Sequence, residues 1–465
     1  MKFGGTSVGG DQSLKNVVAL IGRYAKANDV VVVASAMNGV TNSLIEAANR
    51  ARERDEKHVA EAAEQLRARH ESTSRQIISD SSRLEQTIAR LDAELKDLKK
   101  ALTGICYLGE LTSRSQDYVL SFGEKLSSLI LAGALCDAGM KAERLTGEEA
   151  GIVTDASFGE ATPLMDITKR EVKQRLNRLI EDGTIPVVTG YIAATEDGVP
   201  TTLGRGGSDY SATIIGVALG ADEVWIWTDV DGIMTADPKI EPAAQTIREI
   251  SFIEAMEMSH FGAKTMHPRA LEPTAEAGLP VRVKNTFNPD GPDTLILQEQ
   301  QIKSGNIVKA VTSVREASMI TVSGAGMHGA PRTAAKVLDV LGKNNISVLM
   351  ISQSSSEADL SLIVARSSLE RAAASLRYSL LNGRLFKEVT TEADVSVVAA
   401  VGAGMKGTPG IAARLFRAVA DKGVNVRMIA QGSSELNISF VVREDDVLKS
   451  VRALHTEFQL GQVRA

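Results

Sequence analysis

Three glycine-rich stretches hold the residues of this sequence best suited to chemistry. In Lys2-Phe3-Gly4-Gly5-Thr6-Ser7 a predicted strand ends at two glycines, whose missing Cβ lets backbone N–H groups approach phosphate oxygens, with Lys2 beside them as a point charge. A tight strand-to-helix turn with a surface lysine would have the same sequence. Gly204-Arg205-Gly206-Gly207-Ser208-Asp209 gathers a planar carboxylate-binding fork, exposed backbone donors, a hydroxyl and a carboxylate. Arg205 can clamp a substrate carboxylate, and Asp209 can take a substrate ammonium or hold a catalytic lysine; the alternative is a loop closed by its own Arg205–Asp209 pair. The third stretch is Thr228-Asp229-Val230-Asp231-Gly232 followed by Thr235-Ala236-Asp237-Pro238-Lys239, a polar rim suited to a nucleotide or simply to a turn. Together they offer phosphate donors, cations and a carboxylate clamp, with neither a nucleophile triad nor a metal cage. Phosphoryl transfer needs this set, because its catalysis is mostly positioning plus cations around a spread negative charge.

Other motifs fail on context. Gly5-Thr6-Ser7-Val8-Gly9 matches the nucleophile elbow of hydrolases, but that serine must top a central strand and borrow an oxyanion donor from an earlier loop, and only four residues precede Gly5. There is no phosphate loop of the G-x-x-x-x-G-K-[ST] type. The six histidines, His260 and His267 among them, show no metal-ligand spacing, so no protein-held metal is expected.

The elements that must position these loops alternate between Val/Ile-rich runs and helical text: Val30 to Ser35, a helix from Thr41, then runs from Ile185 and Val224. Apolar strands between helices predict a mainly parallel, two-sided α/β sheet, assigned to residues 1–290. Residues 50–104 interrupt it with a charged segment in which Leu84, Ile88, Leu91, Leu95, Leu98 and Leu102 alternate by four and three, a predicted helical hairpin packed on its own domain. It is assigned no chemistry. Asn288 to Gly305, rich in turn signals, reads as a linker.

Beyond it lies an internal repeat: the segment from Ser323 matches the segment from Val401, with Gly324 and Gly402 setting an offset of 78 residues. Each copy reads as strand, Gly-rich turn, helix and strand hairpin, which fits βαββαβ, a ferredoxin-like module, over 305–385 and 386–465. Both copies contain G-x-G-x-x-G, at Gly324, Gly326 and Gly329 and at Gly402, Gly404 and Gly407. A hairpin follows where a dinucleotide fold needs a parallel strand ending in an acid, so the dinucleotide reading is set aside and a helix start suited to a small anion remains.

Composition closes off further classes. Among 465 residues, 52 Lys+Arg against 58 Asp+Glu give a net charge of −6, and aromatics are 4%, which argues against a nucleic-acid partner. No stretch is expected to span a membrane. Two cysteines, Cys106 and Cys136, fit reduced thiols and the cytoplasm.

At KFGGTSV, SFGEKLSS, TTLGRGGSDYSA, WTDVDGIMTADP and FGAKTMHP the sequence resembles the aspartate kinases of the amino acid kinase superfamily, across essentially the whole chain, and the paired modules resemble their ACT domains. The resemblance implies an αβα sandwich catalytic domain that phosphorylates the β-carboxylate of L-aspartate with ATP, and Mg²⁺ on the ATP phosphates. It implies that Lys2, Gly4, Gly5, Thr6 and Ser7 surround the phosphates, and that Thr228, Asp229, Asp231, Met234, Lys239 and Lys264 line the nucleotide. Met234 stands where some relatives carry tyrosine. Arg205 falls on a substrate carboxylate, with Ser35, Thr41, Glu124, Ser208 and Asp209 around aspartate and Glu124 on its ammonium; Lys2, Arg205 and Asp209 form the catalytic set. Met327, Gly329, Ala330, Ile346 and Gln353 would hold a regulatory amino acid, lysine or threonine, at an interface of modules that pair the chain into a dimer or tetramer. The short tail after the second module predicts a form without a fused homoserine dehydrogenase. Two rivals are a kinase for glutamate or an N-acyl amino acid, where Glu124 and Asp209 argue for a free ammonium on the substrate, and a sensor without turnover.

Overall fold

The computed structural model describes residues 1–262, 266–298, 307–323, 332–354, 359–381 and 388–462. The chain divides into two compact units, Met1–Ile233 with Arg248–Phe252 and Thr265–Gln301, and Met234–Ile247 with Ile253–Lys264 and Ile302–Ala465. Two segments of the expected catalytic region, Met234–Ile247 and Ile253–Lys264, thus belong to the second unit.

In the first unit the strands are β1 (Lys2–Phe3), β2 (Val32–Ala34), β3 (Ala142–Leu145), β4 (Val153–Thr154), β5 (Ile185–Thr189), β6 (Ile192–Thr195), β7 (Pro200–Thr202), β8 (Val224–Thr228), β9 (Glu249–Ser251), β10 (Val281–Asn285) and β11 (Thr294–Leu297). Eight form one sheet in the order β3-β5-β2-β1-β8-β10-β11-β9, parallel except where β10 meets β11. β4, β6 and β7 form a small separate sheet. Strands covered on both faces read as near-continuous apolar runs, as β2 does and as β5 and β8 do up to their final threonines. β1 needs only two residues: Phe3 is fully buried and stacks on Trp227 of β8, centroids 6.0 Å apart, while Lys2 sits opposite Val33 and Ile226. The chain leaves β1 toward β2 on one side and later returns to β8 on the other. The gap between them is therefore a topological switch point, where open α/β sheets bind ligands at the carboxyl ends of their strands.

The insertion is a hairpin of two helices, Glu56–Ile77 and Ser81–Leu108, each begun by an aspartate side chain accepting a backbone N–H (Asp55 from His58, Asp80 from Arg83). Leu91, Leu95, Leu98 and Leu102 of the heptad stripe are buried in the core of the first unit; Leu84 and Ile88 are half-exposed. One expectation needs correction. The supposed linker contains β11, whose four residues pair antiparallel with β10; the run Thr-Leu-Ile-Leu is too short to stand out among turn residues. Ser113–Asp137 is long and apolar enough by length and composition to cross a membrane, but it carries Glu124 and Lys125 and 83% of its most apolar window is buried inside the fold, as in the core of a globular protein.

The second unit places β12 (Ala310–Ser323), β13 (Val348–Gln353), β14 (Asp359–Ala365), β15 (Glu388–Val401), β16 (Met428–Ala430) and β17 (Asn437–Arg443) in one antiparallel sheet, ordered β13-β14-β12-β15-β17-β16. β12 and β15 are both 14 residues long and pair along their length. Ala317–Ser323 of β12 lies between β14 and the start of β15, so the first copy closes as βαββαβ with the beginning of β15 as its last strand. Ala310–Val314 pairs with Val397–Val401, so the second copy takes its closing strand from the start of β12, in the segment assigned to the first. Each module is completed by the other's leading strand. Register shifts at Val314/Ala317 and Ala317/Met319, with Glu316 in the left-handed region at φ 57°, mark where β12 passes from one module to the other.

This exchange puts equivalent positions of the two copies together. The tight turn after β14 begins at Arg366 and that after β17 at Glu444, 78 residues on, and the two side chains form an ion pair. Arg366 is also 3.6 Å from Asp394, and Arg315 is 3.9 Å from Glu444. Identical modules would bring like charges together here, so opposite signs favour pairing of the first copy with the second. Arg366→Glu should lower the melting temperature by a few degrees, as should Glu444→Arg, and the double exchange should recover most of the loss; additive losses in thermal unfolding would contradict this.

Candidate active site

Lys2 is buried at the end of β1, and its Nζ lies 2.5 Å from Oδ1 of Asp209. Asp209 sits in the first turn of the helix Gly207–Leu219, which follows the Gly204–Gly206 turn. Of the readings open for Asp209, the lysine partner is the one formed. Arg205 is exposed and has no ion pair among the described residues, so it is not consumed in closing its own loop. Glycine is required around it: Gly206 has φ 72°, and a Cβ there would lie 2.5 Å from the Cβ of His267. Gly190, just past β5, would meet the Cβ of Ser208 at 2.6 Å, so only a glycine lets this helix start rest against the edge of the main sheet. That contact joins residues 18 apart, across the β6–β7 hairpin, and nothing in the sequence signals it.

Glu124, in the first turn of the helix Phe122–Asp137, is buried; Ser208 Oγ donates to its Oε1 at 3.5 Å, and its Oε2 has no hydrogen-bond partner. Burial pushes its carboxyl up to about 7, against the pull of the Ala36 N–H, the Ser208 hydroxyl and the Lys2 charge. A half-satisfied buried carboxylate beside an ion pair is costly for folding and suits a cationic ligand group.

The loops after β1 and β2 are joined to one another. The Asn38 N–H donates to Gly5 O at 3.1 Å and the Ser35 N–H to Phe3 O at 3.2 Å, while a Cβ on Gly5 would lie 2.9 Å from Ala36 O. Ser35 is buried, with its carbonyl accepting from Ser127 Oγ at 2.6 Å; Thr41, in the first turn of Val40–Arg52, is half-buried. Gly4 donates to Trp227 O at 3.1 Å, and Thr6 lies half-exposed in the same loop. Ser7 is fully buried and its hydroxyl bonds to Thr286 Oγ1 at 2.7 Å, so it is no free nucleophile and only its backbone is left for a phosphate.

Sequence reasoning missed Asp117. Its buried carboxylate accepts from the N–H and hydroxyl of Thr202, at 3.0 and 2.7 Å, and from the Gly159 N–H at 2.9 Å, anchoring β7 just before the Gly204 turn. These partners are 85 and 42 residues away, and an aspartate inside SRSQDYVL carries no local mark.

The nucleotide set is only partly assembled in the first unit. Thr228 is half-buried at the end of β8 and donates to the exposed Asp229 at 3.2 Å, while Asp231 accepts from Asn285 at 2.7 Å and Asn288 at 3.1 Å. Met234 and Lys239 belong to the second unit, where Met234 packs against the core containing Ala236, Ile240 and Phe440, and Lys239 is exposed. Lys264, Met327, Gly329 and Ala330 lie outside the described residues. Ile346 is buried in the core of the first copy, and Gln353 is exposed at the end of β13.

In the second copy, Gly402 and Gly404 are required because Ile307–Lys309 runs against them: a Cβ on Gly402 would lie 2.4 Å from Ile307 O. Protein carboxylates already meet amides of that loop, Glu254 at the Ala403 N–H and Glu435 at the Gly407 N–H, both 2.7 Å. Among the described residues no cluster of His, Cys, Asp or Glu can hold a metal ion.

The Glu124 environment has a stability consequence. Without substrate, the native state keeps a proton between pH 4.5 and about 7 that the unfolded chain has released, so this group's contribution falls as pH rises through that window. Glu124→Gln should gain up to about 3 kcal/mol on wild type between pH 5 and pH 8 in urea unfolding. An unchanged difference across that range would contradict the assignment.

Comparison with known proteins agrees with this architecture. A family model described as the amino acid kinase family matches residues 1–285, and an ACT domain model matches 320–380 and 398–458. The chain is 34% identical over 99% of its length to the chloroplastic bifunctional aspartokinase/homoserine dehydrogenase 1 of Zea mays, and spans 50% of that protein. It therefore covers about half the length of the bifunctional relatives. It is also 34% identical, over 98% of its length and 79% of the relative, to the chloroplastic aspartokinase 1 of Arabidopsis thaliana. Escherichia coli aspartokinase III in complex with aspartate and ADP superposes with a TM-score of 0.83 at 28% identity, covering 98% of both chains. Its complex with lysine and aspartate gives 0.79 at 27%, again covering 98% of both chains. The chain belongs to the amino acid kinase family, in its aspartokinase branch with paired ACT domains.

Proposed function

We propose that the chain catalyses ATP-dependent phosphorylation of the β-carboxylate of L-aspartate, giving the acyl phosphate and ADP. The observation that carries this reading is the Lys2–Asp209 pair beside the half-satisfied Glu124, at the switch point of the parallel sheet. E. coli aspartokinase III, which binds aspartate and ADP, supports the same reading by its likeness along the whole chain.

The acceptor is already an anion, so no general base is needed; the difficulty is to bring two negative groups together. In this reading Lys2 spans the phosphates and the developing charge, Asp209 holds it in place, and backbone amides of Gly5 to Ser7 take phosphate oxygens, while Gly4, expected in that set, has its N–H held by Trp227 O and shapes the loop instead. Arg205 clamps a substrate carboxylate from its exposed turn, and Glu124 with Ser208 takes the ammonium. Ser35 and Thr41 line the acceptor; Thr228, Asp229, Asp231, Met234, Lys239 and Lys264 attend the nucleotide. Mg²⁺ enters on the ATP phosphates, where it neutralises charge.

Regulation by lysine or threonine is assigned to the first ACT copy, with Met327, Gly329, Ala330, Ile346 and Gln353, because loop amides of the second copy are met by Glu254 and Glu435. Pairing of these modules between chains would give a dimer or tetramer. The two free cysteines fit a reducing compartment such as the cytoplasm.

Trapping with hydroxylamine should yield a hydroxamate from L-aspartate and ATP but not from glutamate or N-acetylaspartate. A product from either alternative and none from aspartate would overturn the substrate, and amino-acid binding without ATP consumption would make the chain a sensor. Lys2→Ala should lower kcat on the order of 100- to 1000-fold. Arg205→Lys keeps the charge but loses the fork, so the KM for aspartate should rise about tenfold with that for ATP nearly unchanged; equal changes would remove Arg205 from the acceptor.

A further inference from the structure

The helical hairpin reaches the site through one side chain. Arg69, on the exposed face of the helix Glu56–Ile77, donates from Nη2 to Asn38 O at 2.8 Å and reaches Gly9 O at 3.5 Å. These carbonyls belong to two different loops. Gly9 lies in the phosphate-side loop after β1, and Asn38 in the acceptor-side turn between β2 and the helix Val40–Arg52. The guanidinium lies over that turn: Gly39 has φ 83°, and a Cβ there would be 3.9 Å from Nη1 of Arg69. Beneath it the Asn38 N–H donates to Gly5 O at 3.1 Å, so backbone and guanidinium hold the same two loops from different sides.

We propose that Arg69 is a positioning residue of the phosphoryl transfer: its guanidinium sets the distance between the loop that holds the phosphates and the loop that holds the acceptor carboxylate. The proposal rests on the kinase reading above. Both carbonyls are met from one nitrogen, Nη2, which the planar guanidinium holds in a fixed direction, whereas a lysine ammonium on its flexible stem is not so directed. Transfer between bound reactants is sensitive to such spacing, a misplacement of about 1 Å costing on the order of 100-fold. Arg69 touches neither reactant in this account. The hairpin that carries it is packed through Leu91, Leu95, Leu98 and Leu102, so the loops are braced by an element far from them in sequence.

The test compares wild type with Arg69→Ala and Arg69→Lys. Binding of ADP alone and of aspartate alone should stay within about threefold of wild type, while kcat falls about 10- to 100-fold in Arg69→Ala and less in Arg69→Lys. Added guanidinium ion should recover part of the alanine variant's turnover. In the same proteins, hydrogen exchange at the Asn38 amide should quicken about tenfold. A kcat within twofold of wild type, or a loss explained by weaker binding of either ligand alone, overturns the proposal; if Arg69→Ala does not fold, Arg69→Lys decides. Failure of the wild-type protein to form any acyl phosphate removes the kinase reading instead, and unchanged Asn38 exchange then also removes the clamp.

Discussion

In the proposed reaction two anions, a phosphorylated nucleotide and a carboxylate, have to approach within bonding distance. The structure answers this constraint with fixed charge at one point of a parallel sheet. Lys2 is part of a strand only two residues long, held between β2 and β8, and Asp209 reaches it from a helix start pressed against the sheet by Gly190. The cost falls on Glu124, a buried carboxyl with one oxygen unpaired. Folding alone would favour an apolar residue there; the ammonium of the proposed substrate would give the acid its use.

Much of the surrounding architecture secures that point. Asp117 ties β7 and the Gly159 turn beneath the Arg205 loop, and Ser7 and Thr286 tie the loop after β1 to the end of β10. In the second unit the sharing of β12 and β15 makes the two ACT copies one sheet, while their sequences have diverged where it matters. Arg366 faces Glu444 at equivalent positions, and Glu254 and Glu435 accept from amides of the Gly-rich loop of the second copy.

What could be read beforehand follows from the range of each signal. Glycines beside charges mark a close backbone approach locally, so the Lys2 and Arg205 loops stood out, as did the parallel sheet from its apolar runs. The role of Glu124 came through family resemblance, since a lone glutamate in an apolar helix is uninformative by spacing. Asp117, Gly190 and Arg69 act on partners distant in sequence, and no periodicity encodes those contacts. β11 was lost to its brevity, and the shared closing strand of the second module because Ala310–Val314 lies in the chain segment assigned to the first.

The central claim is that Glu124 exchanges its proton for the substrate ammonium. Calorimetric titration of L-aspartate into the protein at pH 6.5, in buffers of different ionisation enthalpy, measures this directly. The account predicts release of a large fraction of one proton per aspartate bound, abolished in Glu124→Gln; binding of aspartate with no proton released, or the same release in both proteins, would contradict it.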